Sequence, residues 1–332
     1  MERMELDTGY DVYIGCSMSF DSLAEGDKKN LCVIDKGIFE IYGRGIPGEK
    51  IIVGPGERAK DISVITEIYD ACMEMELGRD DRIAAVGGGA VGDTAGFAAS
   101  TFKRGVSFIN VPTTLLAMID SCIGGKTAID YKNIKNQIGT FYDPGAVYIC
   151  TDFLRTLPAE EIRSAMGEVV KYAVLDRDFY DWLNSNAAGV CTMDGDTVEE
   201  MIRRCITIKA EIVAGDKLDK GDRACLNMGH TIGHAVELRY GMSHGLAVAA
   251  GIYYESMMAY RMGILSKSQL SAIQDLIAAF GLDTDIPIDE ETLALAIHDK
   301  KNDSGKIGFI LPKVIGSWEK VLLSREELKN LI

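Results

Sequence analysis

Four histidines are all that this 332-residue sequence contains. Its eight cysteines, at 16, 32, 72, 122, 150, 191, 205 and 225, form no Cys-x-x-Cys pair, which removes the usual redox and zinc-ribbon signatures. Most lie in apolar runs such as AVYIC and NLCVI, the pattern of buried, reduced thiols in a cytosolic protein. No apolar run approaches the ~20 residues of a membrane span. The opening MERMELDTGYDVYIG has no apolar signal core, so the expected location is cytoplasmic. Positive charge is also short: 35 Lys and Arg against 50 Asp and Glu leave a formal net charge of −15. That balance argues against nucleic acid or an anionic membrane surface as the main partner, while leaving room for a local cationic pocket. There is no internal repeat and no low-complexity linker.

What is present suggests two domains, since a single core rarely grows past ~250 residues. Short apolar runs alternate with helical patterns through the first half. LCVID (31–35), KIIVGPG (50–56), RIAAV (82–86), SFINVP (107–112) and AVYICTD (146–152) read as strands, and Ile62 to Leu77 carries a helical stripe. This alternation predicts a parallel sheet with helices on its faces. The texture changes after Pro158. Segments 159–175, 198–212, 222–238, 246–262 and 266–280 all have helical periodicity; only IGFIL (307–311) and KVLL (320–323) suggest a hairpin. The expected domains are residues 1–150, α/β, and 151–332, helical.

Four stretches carry chemistry. RIAAV runs into Gly87-Gly88-Gly89-Ala90-Val91-Gly92, a literal G-x-G-x-x-G between strand and helix. It fits either a pyrophosphate cradle or a tight structural turn. The next strand lacks the acid that would hold a ribose, and Asp35, ending an earlier strand, could do that work. Lys126, Lys132 and Lys135 crowd a Gly-rich loop region near Asp120, which reads as a solvated loop or as an anion cradle. In GEVVKYAV, Glu168 and Lys171 are three apart, the spacing of an intrahelical ion pair. Three of the four histidines fall in MGHTIGHAVELRYGMSHG. His230 and His234 share a helical face, and His244 opens a further helix. The cluster favours a metal site, with zinc as first guess, although no H-E-x-x-H glutamate is present.

Taken in order, GGGAVGDTAGFAASTFKRGV, VPTTLLAMIDSCIGGKTAID, KNQIGTFYDP, FLRTLP, MGEVVKYAV, LNMGHTIGHAVE and SHGLAVAAG resemble the 3-dehydroquinate synthase family, within the sugar-phosphate cyclases. The resemblance runs from about Asp35 to Lys301. It implies a Rossmann-like N-terminal domain and an all-α C-terminal domain with the active site in the cleft between them. It implies NAD held by Asp35, Glu57, Lys60, Gly88, Gly89, Asp93, Thr113, Thr114 and Thr156. It implies zinc, with cobalt as the alternative, on Glu168, His230 and His244. Substrate would meet Asp120, Lys126, Lys135, Asn136, Lys171, Lys209, Arg223, Asn227 and His234, together with Lys300 or Lys301. Arg104 would reach the substrate of a neighbouring subunit, which implies a homodimer.

The implied reaction converts 3-deoxy-D-arabino-heptulosonate 7-phosphate to 3-dehydroquinate and phosphate. Transient oxidation acidifies a C–H, phosphate leaves, the hydride returns, and an intramolecular aldol closes the carbocycle, so NAD is recycled. The lysines and Arg223 suit a substrate bearing a carboxylate and a phosphate. One segment departs from the family pattern D-E-x-E-x-G-x-R: Asp216-Lys217-Leu218-Asp219-Lys220-Gly221-Asp222-Arg223 has Lys217 for one Glu and the shorter Asp219 for the other. The competing readings are a sister cyclase such as 2-epi-5-epi-valiolone synthase and a metal-dependent polyol dehydrogenase.

Overall fold

The computed structural model describes residues 1–24, 27–132, 134–299 and 306–332. The chain divides into two compact units, Met1–Leu157 with Lys209–Ala214, and Pro158–Ile208 with Gly215–Ile332.

The first unit contains β1 (Glu2–Met4), β2 (Asp11–Gly15), β3 (Asn30–Asp35), β4 (Glu49–Val53), β5 (Arg82–Gly87) and β6 (Ser107–Pro112). β7 (Lys126–Tyr131) and β8 (Ile134–Phe141) form a separate antiparallel hairpin, and β9 (Ala146–Cys150) completes the main sheet. Helices α1 (Lys36–Tyr42), α2 (Ile62–Glu74) and α3 (Gly89–Thr101) connect successive strands. The seven-stranded sheet runs β1-β2-β9-β6-β5-β3-β4, parallel except for β1. β3 and β5 are buried almost throughout, so their sequences are continuously apolar rather than alternating. From β3 the chain first steps outward to β4, then crosses back to β5 on the other side. The carboxyl ends of β3 and β5 therefore flank the point where the winding reverses, the usual ligand position in such sheets.

The second unit contains α4 (Ala159–Leu175), α5 (Arg177–Cys191), α6 (Gly195–Gly215), α7 (His230–Tyr240), α8 (His244–Arg261), α9 (Lys267–Ala279), α10 (Glu290–Asp299) and α11 (Arg325–Leu331). The anticipated hairpin is there as β10 (Ile307–Val314) and β11 (Ser317–Leu323). Two sequence expectations change. The region around Lys126 and Lys135 is a β-hairpin rather than a loop. The single helix expected over 222–238 is a 3-10 turn, Asp222–Asn227, separated from α7 by Gly229 at φ +79°. That left-handed residue, which glycine adopts without penalty, breaks the helical repeat. Cys32, Cys72, Cys122, Cys150, Cys205 and Cys225 are buried, while Cys16 and Cys191 are exposed. Among the described residues, no helix is long and apolar enough to cross a membrane.

Candidate functional site

In the first unit, Asp35 and the glycine turn stand at the carboxyl ends of β3 and β5, at the switch point. Asp35 ends β3 and caps α1, its Oδ1 accepting from the N–H groups of Gly37 (2.8 Å) and Ile38 (3.3 Å). Gly88 is the N-cap of α3 and offers no side chain there, which leaves the helix N-terminal N–H groups available to an anion. A Cβ on Gly89 would lie 2.8 Å from Ser121 Oγ, and one on Gly88 3.2 Å from Thr114 Cγ2. The backbone is thus packed too closely for larger residues on that side. Thr113, just beyond β6, is buried and its N–H donates to the Gly87 carbonyl at 2.9 Å. Thr156 Oγ1 lies 3.4 Å from Tyr42 Oη, and Glu57 is exposed.

Lys60 is buried and ties these groups to the hairpin. Its Nζ donates to Asp93 Oδ2 at 2.5 Å and to Asn136 Oδ1 at 2.6 Å. Burial pushes the Asp93 carboxyl up to about 6, against the opposing pull of Lys60. Asn136 holds φ +54° on β8, and Lys126 and Lys135 are exposed on the same hairpin. Lys209, buried, donates to the Asp120 carbonyl at 2.6 Å and pairs with its carboxylate at 3.0 Å. Arg104 is exposed on a turn where Lys103, Arg104 and Gly105 all have positive φ. Consecutive left-handed residues of this kind store strain.

In the second unit three helices deliver the candidate metal ligands. Among the described residues, Glu168, His230 and His244 can place ligand atoms within 4.8 Å of one another. Glu168 is almost fully buried on α4; its Oε1 lies 3.4 Å from His230 Nε2 and 3.2 Å from His244 Nε2. Its Oε2 pairs with Lys171 Nζ at 2.5 Å, so the i,i+3 ion pair also forms. His230 Nδ1 lies 3.1 Å from the Met228 carbonyl, which can only accept. The ring must donate there, so its Nε2 turns a lone pair toward Glu168. Burial drives the His230 pKa down to about 3, keeping the ring neutral against the attraction of Glu168. His244 Nδ1 donates to Glu237 Oε2 at 3.0 Å. Burial works to lower its pKa as well, but bonds to Glu168 and Glu237 prevail and raise it to about 10. A proton on His244 Nε2 thus stands between ring and carboxylate where a cation would sit. One carboxylate and two oriented imidazoles, each tied at Nδ1, suit zinc or cobalt.

Glycines bring these helices together. A Cβ on Gly167, beside Glu168, would lie 2.6 Å from the Gly245 carbonyl carbon. One on Gly245, beside His244, would lie 2.7 Å from the Ser164 carbonyl carbon. Gly229, beside His230, and Gly233, beside His234, meet α8 at Val248 O (2.7 Å) and Ala247 O (2.9 Å). Each histidine of the cluster and Glu168 is therefore flanked by a glycine at a helix crossing.

His234, which spacing paired with His230 as a ligand, falls outside the trio. Its ring centroid is 5.3 Å from that of His230 and 5.9 Å from that of His244. Spacing within one helix does not reveal the further candidate ligands, which arrive on separate helices. Asn227 lies on the 3-10 turn before Gly229, not on the face of α7. Arg223 is buried and donates from Nη1 to the Lys217 carbonyl at 2.8 Å. Its loop is tied by Asp216, which accepts from the N–H groups of Lys220 (3.0 Å), Gly221 (2.6 Å) and Arg223 (3.2 Å). Asp219 has φ +55°, a conformation that aspartate tolerates better than glutamate, which gives a local reason for the departure at this position. Lys300 and Lys301 lie outside the described residues.

The sequence reading overlooked Glu237 and Glu255. Glu237 follows His230 by two turns and His234 by one, a periodicity visible in GHTIGHAVE. Glu255, fully buried on α8, accepts from the N–H groups of Gly229 (2.7 Å) and Ile232 (3.3 Å), capping α7 from another helix. No local sequence signal marks it.

Residues 50–164 match the family described as 3-dehydroquinate synthase N-terminal, and residues 165–302 the one described as 3-dehydroquinate synthase C-terminal. A 3-dehydroquinate synthase of Alkaliphilus metalliredigens (strain QYMF) is 38% identical over 352 aligned residues, covering 100% of this chain and 98% of the relative. A solved 2-deoxy-scyllo-inosose synthase, complexed with carbaglucose-6-phosphate, NAD+ and Co2+, superposes with a TM-score of 0.86 at 26% identity, covering 99% of this chain and 98% of that one. The 2-epi-5-epi-valiolone synthase of Streptomyces hygroscopicus subsp. jinggangensis 5008, with NAD+ and Zn2+ bound, gives 0.85 at 25% identity, with 99% and 97% covered. With matched segments spanning both units and a relative of this identity along its whole length, the chain belongs to the 3-dehydroquinate synthase family.

Proposed function

We propose that this protein converts 3-deoxy-D-arabino-heptulosonate 7-phosphate to 3-dehydroquinate and phosphate, using recycled NAD and a zinc or cobalt ion. The observation that carries the reading is the trio Glu168, His230 and His244, whose ligand atoms lie within 4.8 Å and whose imidazoles are turned toward one carboxylate. When bound, NAD+ supplies reversible hydride acceptance and the metal supplies Lewis acidity at a substrate hydroxyl.

The chain's own residues account for the rest. The switch point, with Asp35 and the α3 N-terminus, suits a ribose hydroxyl and a pyrophosphate. The substrate brings about three negative charges at neutral pH, one from its carboxylate and the remainder from phosphate. Lys126, Lys135, Lys209, Lys171 and Arg223 supply the matching cations. Lys209 and Arg223 are held by backbone carbonyls at 2.6 and 2.8 Å, so little side-chain freedom is left to lose when an anion arrives. Asn136, Asn227 and His234 complete the set as hydrogen-bonding groups for hydroxyls. No side chain needs to be a strong general base if the substrate phosphate takes the proton during elimination. The reading includes a homodimer in which Arg104 serves the neighbouring copy.

The test is an assay of purified, zinc-loaded protein with catalytic NAD+ and the heptulosonate phosphate. Expected is one phosphate released per substrate with no net NADH. Steady NADH accumulation without phosphate would indicate a dehydrogenase. Turnover of sedoheptulose 7-phosphate, with none of the heptulosonate phosphate, would indicate a sister cyclase.

A further inference from the structure

Resting on the metal reading above, we propose that Glu237 is a positioning residue that fixes the ring nitrogen and orientation with which His244 meets the metal. α7 therefore supplies one ligand directly and sets the aim of another that belongs to a different helix.

The geometry is explicit. Glu237 Oε2 lies 3.0 Å from His244 Nδ1. A carboxylate oxygen can only accept, so Nδ1 carries the proton and Nε2 is the nitrogen left for coordination. Nε2 is also the nitrogen that faces Glu168 Oε1, at 3.2 Å. His244 is the first residue of α8, and its ring contacts Glu168 through Nε2 and Glu237 through Nδ1. His230 has a different tether, the Met228 carbonyl at 3.1 Å, which is backbone and cannot be removed by substitution. Of the two, His244 is the one whose Nδ1 tether is a side chain. Glu237 also adds negative charge behind the ring, which raises the basicity of the coordinating nitrogen. Its place on α7, seven residues after His230, puts both groups on one helical face.

The test measures zinc affinity of metal-free wild-type protein and of the E237Q and E237A variants, by competition with a chromophoric chelator. Each metal-free form is also unfolded thermally. For E237A the expected loss of affinity is about 10- to 100-fold, with the fall in metal-free thermal stability limited to the small share of the lost bond to His244. The amide oxygen of E237Q can still accept from Nδ1 but lacks the charge, so an intermediate loss is expected. With cobalt as the probe, the visible spectrum of E237A should differ from wild type in band position, and that of E237Q much less. Wild-type affinity in E237A would overturn the proposal. Equal losses in both variants, accompanied by a matching fall in metal-free thermal stability, would show a merely structural residue and overturn it as well. Failure of wild-type protein to bind zinc at all is a separate result that removes the proposed function itself.

Discussion

Gly245→Ala tests how the proposed metal ligands are brought together. The added Cβ would lie 2.7 Å from the Ser164 carbonyl carbon and 3.3 Å from Ser164 Oγ. The Ser164 carbonyl oxygen is nearer still, and ordinary contacts stand at about 3.5–4.0 Å, so α8 must withdraw from α4 by more than about 1 Å. The obstacle is backbone, which cannot swing aside as a side-chain tip does. The residue before Gly245 is His244, and Glu168 lies one turn beyond Ser164, so the displacement falls on a gap that measures 3.2 Å between Nε2 and Oε1. Metal–ligand distances tolerate about 0.2 Å, several times less than the required shift. Overpacking of this kind costs about 1–3 kcal/mol. For a folding unit of this size that lowers the midpoint of thermal unfolding by about 2–12 °C. Zinc affinity should fall by at least about 100-fold, the upper end of what loss of a mere ligand support brings. The assay is zinc titration of metal-free protein against a chelator, paired with calorimetry. Gly195→Ala and Gly215→Ala are the controls. Neither Cβ would meet an atom within 4 Å, and neither residue has a left-handed φ, so both should bind zinc normally. Wild-type zinc affinity in Gly245→Ala would refute the argument that these glycines set the ligand spacing.

Further outcomes follow from the same site. His234→Ala should abolish turnover while keeping zinc, whereas His244→Ala should lose both; equal zinc retention, measured by metal analysis after dialysis, would contradict the assignment. Zinc affinity should rise with pH, by up to about tenfold per unit near neutrality, because metal must expel the proton that Glu168 and Glu237 hold on His244 while His230, His234 and Lys171 stand nearby. The sign for stability is the reverse: with the folded pKa raised to about 10, the His244 contribution is complete below its unfolded value of about 6.5 and disappears as pH rises through 10. Metal-free protein should thus lose thermal stability across that window, and His244→Gln should flatten the loss. Glu255→Ala strands two buried N–H groups, of the α7 N-cap Gly229 and of Ile232 within the helix, and should cost about 3 kcal/mol, with Glu255→Gln recovering part of it, as read by urea unfolding.

The fold was legible where periodicity was strong. Strands β3, β5, β6 and β9 announced themselves as apolar runs ended by turn residues, and the parallel sheet followed from their alternation with helices, whereas the strand order did not. The α4 span, Ala159–Leu175, matches its sequence expectation at both ends. The hairpin β7–β8 did not read as strand because β8 is exposed almost along its length, so no face of it alternates. Helix α5, RDFYDWLNSNAAGVC, was overlooked although Asp176 caps it and its apolar face is buried. Its polar residues and glycine diluted the stripe. The break at Gly229 was hidden because flanking apolar residues continue the helical repeat across it.

The site was legible to a different depth. Spacing within one helix could join His230 to His234, because i and i+4 face the same way whatever surrounds them. It could not rank His244 or Glu168 above His234, because that choice depends on where α8 and α4 cross α7. The crossing points are written in glycines rather than in the ligands. Gly167, Gly229, Gly233 and Gly245 each adjoin a residue of the cluster, and each stands where a Cβ would collide with another helix. A glycine beside a candidate ligand in a helical segment is thus informative. Helix interiors penalise glycine by about 1 kcal/mol relative to alanine, so its placement there needs a reason, and close approach of a second backbone is one. Read this way, MGEVVKYAV and SHGLAVAAG point to one another: a Cβ on the glycine before Glu168 would meet the glycine after His244, and one on the latter would meet Ser164, so this α4–α8 approach is what brings the candidate metal trio together.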